Sequence, residues 1–129
     1  MLVLLDSTVL IDALRGRPAA DRLRSLQSSG DVPCTTSINV EEIARGMLPH
    51  ETDAVGRFFD GLEILPIGRW EGWQAGWWRR AFGDQGITLS QADCLIAATA
   101  HLSGARLATG NPGDFPMSEL VVEHWPVGE

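Results

Sequence analysis

The chain opens with four consecutive apolar residues, Leu2 to Leu5, that stop abruptly at Asp6. An unbroken apolar run of this length, with no polar alternation, is the pattern of a strand covered on both faces, as in a parallel sheet. Similar short runs recur at VPCT (32–35), EILPI (63–67, ending near Pro66) and RLAT (106–109), and LVVEHW (120–125) reads as a last edge strand. Parallel neighbours need long crossovers, and the intervening segments have helical patterning. STVLIDAL follows Asp6 directly. PAADRLRSLQSS carries Pro18 at a first-turn position, a stripe of Ala19, Leu23 and Leu26, and Gly30 as its stop. NVEEIARGM is expected to be capped by Asn39, and ETDAVGRFFDGL spaces Val55, Phe58, Phe59 and Leu62 along one face. SQADCLIAATAHL is apolar nearly all round, as in a deeply packed helix. The order βααβααβααβ(β) predicts an α/β fold: a short, mainly parallel central sheet of four or five strands, with helices on both faces and right-handed crossovers. No repeat or linker divides residues 1–129, which read as one domain.

Composition narrows the chemistry. All ten basic residues are arginine. The absence of lysine argues against P-loop phosphate binding, haloacid-dehalogenase phosphatase chemistry and response-regulator receivers, which rely on a lysine near the phosphate. A DxDxT reading of Asp6 also fails, since Thr8 stands where the second acid belongs. Cys34 and Cys94 form no CxxC pair and read as small buried hydrophobes, and His50, His101 and His124 are isolated. No run approaches the roughly 18 to 20 apolar residues of a membrane span, and Asp6 follows MLVLL too soon for a signal peptide, so a cytoplasmic protein is expected.

Four acids stand out by position. Asp6 ends a buried strand, which places its carboxylate at the carboxyl edge of the sheet, where active residues of such folds gather. Glu42 lies three residues after Asn39 and Asp93 three after Ser90, both capping-box spacings, so each has a structural reading as well as a chemical one. Asp114 follows the RLAT run in the loop GNPGDFP, where a turn role is the plain alternative. Brought to one edge of the sheet, four carboxylates would repel one another unless cations sat among them. Hard divalent ions, Mg²⁺ or Mn²⁺, held by carboxylates and waters with positions open to phosphate, answer that need. Setting these four aside takes the formal charge from -7 to -3, so bulk acidity says little against a phosphate substrate.

The segments LLDSTVLID, SINVEEIARG, LSQADCLIAATA, ATGNPGDFP and VVEHW, in this order over nearly the whole chain, resemble the PIN-domain family and, within it, the VapC-type toxins of bacterial toxin–antitoxin pairs. The family's Glu–aliphatic–x–x–Gly pattern selects Glu42 over Glu41, because EIARG then aligns. The resemblance carries the family's acidic cluster onto Asp6, Glu42, Asp93 and Asp114, with Asp6 and Asp93 as metal ligands, Asp114 completing the shell or holding a second ion, and Glu42 orienting the nucleophile or holding metal through water. Thr109 and Asn111 fall on its Thr-x-Asn element, which leaves either Asn111 or Asp114 nearer the metal, and Ser7 on the small hydroxyl after the first acid. It implies endoribonuclease activity with one or two Mg²⁺ or Mn²⁺ ions, an RNA substrate, a small antitoxin whose tail covers the acidic cleft, and a homodimer. Phosphate contacts would fall to arginines, with Arg15, Arg45, Arg79 and Arg80 the choices. A housekeeping PIN nuclease without antitoxin and a silent PIN binding module are the alternatives.

RWEGWQAGWWRRAF is the remaining feature. Trp70, Trp73 and Trp77 recur at i, i+3 and i+7 and share one helical face, although Gly72 and Gly76 weaken the helix. The helix is expected to pack in the core, or else some of Trp70, Trp73, Trp77 and Trp78 line a dimer contact or an antitoxin groove.

Overall fold

A computed structural model describes residues 1–128. Its elements run β1 (Leu2–Leu5), α1 (Ser7–Leu14), α2 (Pro18–Ser28), β2 (Val32–Thr36), α3 (Ser37–Gly46), α4 (Thr52–Asp60), β3 (Glu63–Leu65), α5 (Arg69–Asp84), α6 (Gln91–Ser103), β4 (Arg106–Thr109) and β5 (Val122–His124). All five strands are parallel, in the order β3-β2-β1-β4-β5. The expected architecture is borne out, including LVVEHW as an edge strand.

Strand alternation divides the core into two layers. Val3 and Leu5 face one side with Val9, Leu10, Ala19, Leu23 and Val55 of α1, α2 and α4. Leu4 and Leu107 face the other, under Ala75 and Trp78 of α5 and Ile96, Ala97 and Ala100 of α6. The nearly all-apolar α6 is buried along most of its length because it lies between the sheet and α5. Cys34 and Cys94 are buried free thiols in this second layer, and burial, then the charge of Glu63, pushes the Cys34 thiol up to about 12. No helix among the described residues is long and apolar enough to cross a membrane.

Two local expectations are corrected. α3 begins at Ser37, and its cap is Thr36 rather than Asn39: the Thr36 hydroxyl accepts from the Asn39 N–H and the Asn39 side chain accepts from the Thr36 N–H. Threonine closing a buried strand wins the cap because the helix can then start directly at the strand end. The tryptophan stripe is not core. Trp70, Trp73 and Trp77 are 60%, 73% and 61% exposed, whereas Trp78, one residue off the stripe, is buried, packs beside His101 and donates its indole N–H to Glu119. α5 has large apolar residues on both sides, and the side holding Ala75, Trp78 and Phe82 is the one that docks on α6.

Asp12, buried in the last turn of α1, accepts from the Ala19 and Gly128 N–H groups, tying the start of α2 and the C-terminal segment together. It supplies the cap that Arg17 cannot give α2.

Candidate metal centre

The sheet order reverses direction about β1. From β1 the chain crosses outward to β2 and β3, then returns past β1 to β4. The crevice between the carboxyl ends of β1 and β4 is therefore the topological switch point, where open parallel sheets bind ligands. Leu5 pairs with Ala108, which sets Asp6 beside Thr109 at this point.

Asp6 is only 7% exposed. Its Oδ1 accepts from the Ser7 N–H at 2.7 Å, capping α1, and its Oδ2 accepts from the hydroxyls of Thr109 at 2.8 Å and Thr8 at 3.4 Å. Thr109 in turn accepts from the Asn111 N–H, and Thr8 from the Gly110 N–H at 2.9 Å. A side chain at Gly110 would meet Val127 at 3.0 Å and the Thr8 hydroxyl at 3.2 Å, so glycine lets this turn close over Asp6. Burial raises the Asp6 carboxyl above its ordinary range; Thr109 and Ser7 oppose that rise, the nearby Glu42 charge adds to it, and Thr8 opposes it slightly.

Glu42 reaches the same edge from α3. With the cap supplied by Thr36 and Asn39, Glu42 has no capping task, and its Oε1 accepts from the Ser7 hydroxyl at 2.8 Å. That hydroxyl accepts from the Asn39 side-chain amide at 3.0 Å, so Asn39, Ser7 and Glu42 form a directed chain across α1 and α3. Asn39 is fully buried. Its role, with those of Thr8 and Thr36, was missed from sequence; the Thr-x-x-Asn spacing at 36–39 was the available signal.

Asp93 lies in the first turn of α6, where its N–H donates to the Ser90 hydroxyl cap. Its carboxyl is raised first by burial, is drawn back by Ser90, and is raised further by the charges of Asp114, Asp6 and Glu42 in that order. Asp93 therefore senses the other three acids, Asp114 most strongly. Asp114 ends a 3₁₀ turn, Pro112–Asp114, and is exposed; Asn111, also exposed, starts that turn by accepting the Asp114 N–H on its carbonyl. Arg15 closes α1 away from Asp6 and shares with Glu42 the wall of a groove of about 470 Å³ lined by Ile11, Leu14, Ile43, Met47 and Val55. Arg45 pairs with Glu41 on the surface, Arg79 donates to the Leu89 carbonyl, and neither meets the acids.

Among the described residues, none of the five ion pairs involves Asp6, Glu42, Asp93 or Asp114. A carboxylate cluster in which the charges of neighbouring acids raise Asp6 and Asp93, with no cationic partner among the described residues, suits a hard divalent cation. Among those residues, no three His, Cys, Asp or Glu side chains converge as a closed chelate. Mg²⁺ binds through as few as one or two carboxylates and keeps much of its water, so it does not require such a group.

The PIN domain family model matches residues 3–116. Ribonuclease VapC10 of Mycobacterium tuberculosis is 34% identical over 119 residues, covering 92% of this chain and 89% of that protein. Ribonuclease VapC19 of the same species is 31% identical over 122 residues, covering 88% and 92%. Among solved structures, VapBC2 from Rickettsia felis bound to a promoter DNA fragment superposes with a TM-score of 0.84 at 22% identity, over 97% of this chain and 99% of that one. DNA-bound VapBC from Salmonella typhimurium gives 0.82 at 24% identity, over 97% and 99%. The match across most of its length, and relatives above 30% identity, place this chain in the PIN-domain family.

Proposed function

We propose that the chain is a metal-dependent endoribonuclease, the toxin of a toxin–antitoxin pair. What supports the chemistry is that the charges of Asp114, Asp6 and Glu42 all act on Asp93 and that none of these four acids has a cationic partner among the described residues. The RNA substrate is supported by two relatives named as ribonucleases that align over about nine-tenths of the chain.

Asp6, Asp93 and Asp114 would hold one or two Mg²⁺ or Mn²⁺ ions. A divalent ion in this position lowers the pKa of bound water and stabilises charge on phosphodiester oxygens. The chain's own part is positioning. Thr109, Thr8 and the Ser7 N–H fix both oxygens of Asp6 before any ligand arrives. Ser7, held by Asn39, takes one oxygen of Glu42 and leaves the other to orient a water or accept its proton. Asn111 borders the mouth as a neutral donor for substrate, and Arg15 is the arginine on the groove that begins at Glu42. That groove, lined largely by apolar side chains with Arg15, Glu42, His50 and Glu51 among them, suits the tail of a small antitoxin, and a homodimer completes the proposed assembly.

The test is cleavage of purified cellular RNA by wild type and Asp93→Asn, each with Mg²⁺ and with chelator, mapping the new ends. Discrete, Mg²⁺-dependent cuts by wild type alone are expected. No cuts from folded, metal-loaded protein free of any antitoxin would refute the nuclease reading in favour of a silent binding module.

A further inference from the structure

Residues 125–128 leave β5 and lie across the carboxyl edge of the sheet, fastened at both ends. Trp125 is buried in the layer that holds Val3 and Leu5, and its N–H donates to the Thr109 carbonyl at 2.9 Å. Pro126 disfavours a helical Trp125, so the chain continues outward from the strand. At the other end the Gly128 N–H donates to Asp12 Oδ1 at 2.9 Å, and Gly128 has a φ of +110° that glycine adopts without strain. Between these anchors both Cγ atoms of Val127 face Gly110: a Cβ added there would meet each of them at 3.0 Å. Val127 is itself 44% exposed, so this contact adds little to the core.

What lies beneath is the support of Asp6. The Gly110 N–H donates to the Thr8 hydroxyl at 2.9 Å, and that hydroxyl donates to Asp6 Oδ2 at 3.4 Å. Thr109, whose carbonyl holds Trp125, donates its own hydroxyl to the same oxygen at 2.8 Å. Of the three donors to the Asp6 carboxylate among the described residues, only the Ser7 N–H is independent of segment 125–128. Asp12 has the chemistry an anchor needs. Its Oδ2 is taken by the Ala19 N–H at 3.0 Å, so a carboxylate, with an acceptor on each oxygen, serves two backbone donors where an amide would serve one.

We propose that residues 125–128 form a strap that sets the orientation of Asp6, with Val127 and Asp12 as its positioning residues. Asp12 fastens the strap, Val127 holds Gly110 against the Thr8 hydroxyl, and Thr8 and Thr109 then present Asp6 in one fixed geometry. The inference rests on the proposed metal centre and adds to it a part of the chain outside the four acids. Loosening the strap leaves every acid in place and lets the Gly110 turn open locally, so the cost falls on metal affinity rather than on global stability.

The test is two measurements on the full chain: hydrogen exchange of the Gly110 amide by NMR in chelator, and the Mg²⁺ Kd by calorimetry, with thermal melts as fold controls. Val127→Ala removes the contact with Gly110. Gly128→Pro removes the donor to Asp12 and is unable to adopt the positive φ, while the bond from Ala19 to Asp12 remains. Each should speed Gly110 exchange about tenfold with the Leu107 amide unchanged. Each should also raise the Mg²⁺ Kd about tenfold, the low end of what groups that orient a metal ligand contribute. Val127→Ala should melt within about 3 °C of wild type, and Val127→Thr, which keeps both branches at Cβ, should restore exchange and Kd to within about twofold. Val121→Ala, beside the amino end of β5 at the opposite edge, should move neither. Unchanged Gly110 exchange in both strap variants, or an unchanged Kd where wild type binds Mg²⁺, overturns the proposal, and so does a loss that Val121→Ala reproduces. A wild type that binds no Mg²⁺ refutes the metal centre separately; Gly110 exchange then decides the strap, upheld if both variants speed it and overturned if neither does.

Discussion

Thr109→Val isolates the hydroxyl that holds Asp6. Valine keeps the shape and branching of threonine at a fully buried strand end, so no cavity forms and strand preference is retained. What is lost is the 2.8 Å bond to Asp6 Oδ2, leaving that oxygen with Thr8 at 3.4 Å, and the acceptor for the Asn111 N–H. Asn111 is exposed, so water replaces the second loss at little cost. A bond to an ionised acceptor contributes about 1.5–3 kcal/mol. Metal-free protein at pH 7 should therefore lose about 2 kcal/mol, a drop in Tm of roughly 6 to 10 °C for a domain of this size. Thr109 lowers the Asp6 pKa, and its removal raises that pKa further above the ordinary aspartate range. The penalty is complete while Asp6 is ionised in both proteins. It shrinks as pH falls through the folded-state pKa of the variant and then that of wild type, toward the roughly 0.5–1.5 kcal/mol of a neutral bond. Thermal melts in chelator at pH 7 and pH 4 measure both values, and Thr109→Ser should recover most of the neutral-pH loss. An equal penalty at both pH values, or none at pH 7, would refute the assignment of Thr109 as the group that holds an ionised Asp6.

Three further outcomes follow from the same geometry. Asp93→Asn should abolish cleavage and Mg²⁺ binding by calorimetry while leaving Tm unchanged or raised, because it removes repulsion from Asp114, Asp6 and Glu42 and keeps the Ser90 cap; an unfolded variant would mark Asp93 as structural. Glu42→Gln should retain the fold, since Thr36 and Asn39 cap α3 without it, and lose activity; unchanged turnover in an RNA-cleavage assay would remove Glu42 from the site. Mg²⁺ should raise Tm at pH 7, and the gain should fade as pH falls through the raised pKa values of Asp6 and Asp93, where protons compete for the same oxygens; a gain independent of pH would place the ion elsewhere.

What was legible in the sequence is what local pattern encodes. An apolar run ending at Asp6 gave a buried strand with a carboxylate at its edge, and alternation of such runs with helical segments gave the parallel sheet. Asp6 and Asp93 were legible by position because a strand end and a first helical turn of a parallel sheet share one edge, whereas Glu42, in the second turn of α3, and Asp114, in the turn after β4, were selected by the family resemblance. The contacts that orient them were not. Ser7 meets Glu42 across 35 residues, Asn39 meets Ser7 across 32, and Thr109 meets Asp6 across 103, and no periodicity carries such pairings. The cap of α3 was misplaced by three residues because Asn39 and Thr36 are both competent caps, and only the end of β2 decides between them. Periodicity likewise grouped three tryptophans on one face of α5 without indicating which face meets α6.

The two acids with plausible capping roles now differ in a useful way. A carboxylate in a first helical turn is stabilised by the helix dipole whether or not it has chemistry to do, so position alone could not separate the roles. At α3 the reciprocal cap is complete within Thr36 and Asn39, and Glu42 instead accepts from a hydroxyl on another helix. At α6 the cap bond runs from the Asp93 N–H to Ser90 and does not depend on ionisation of the Asp93 side chain. In both cases the backbone requirement is met by neighbouring groups and the carboxylate charge is left over. Charge not needed for the helix ends, gathered beside a buried Asp6 whose proton affinity is already raised, costs stability unless a cation offsets it. The same arrangement accounts for why neutral isosteres at Glu42 and Asp93 should preserve the fold while removing the chemistry.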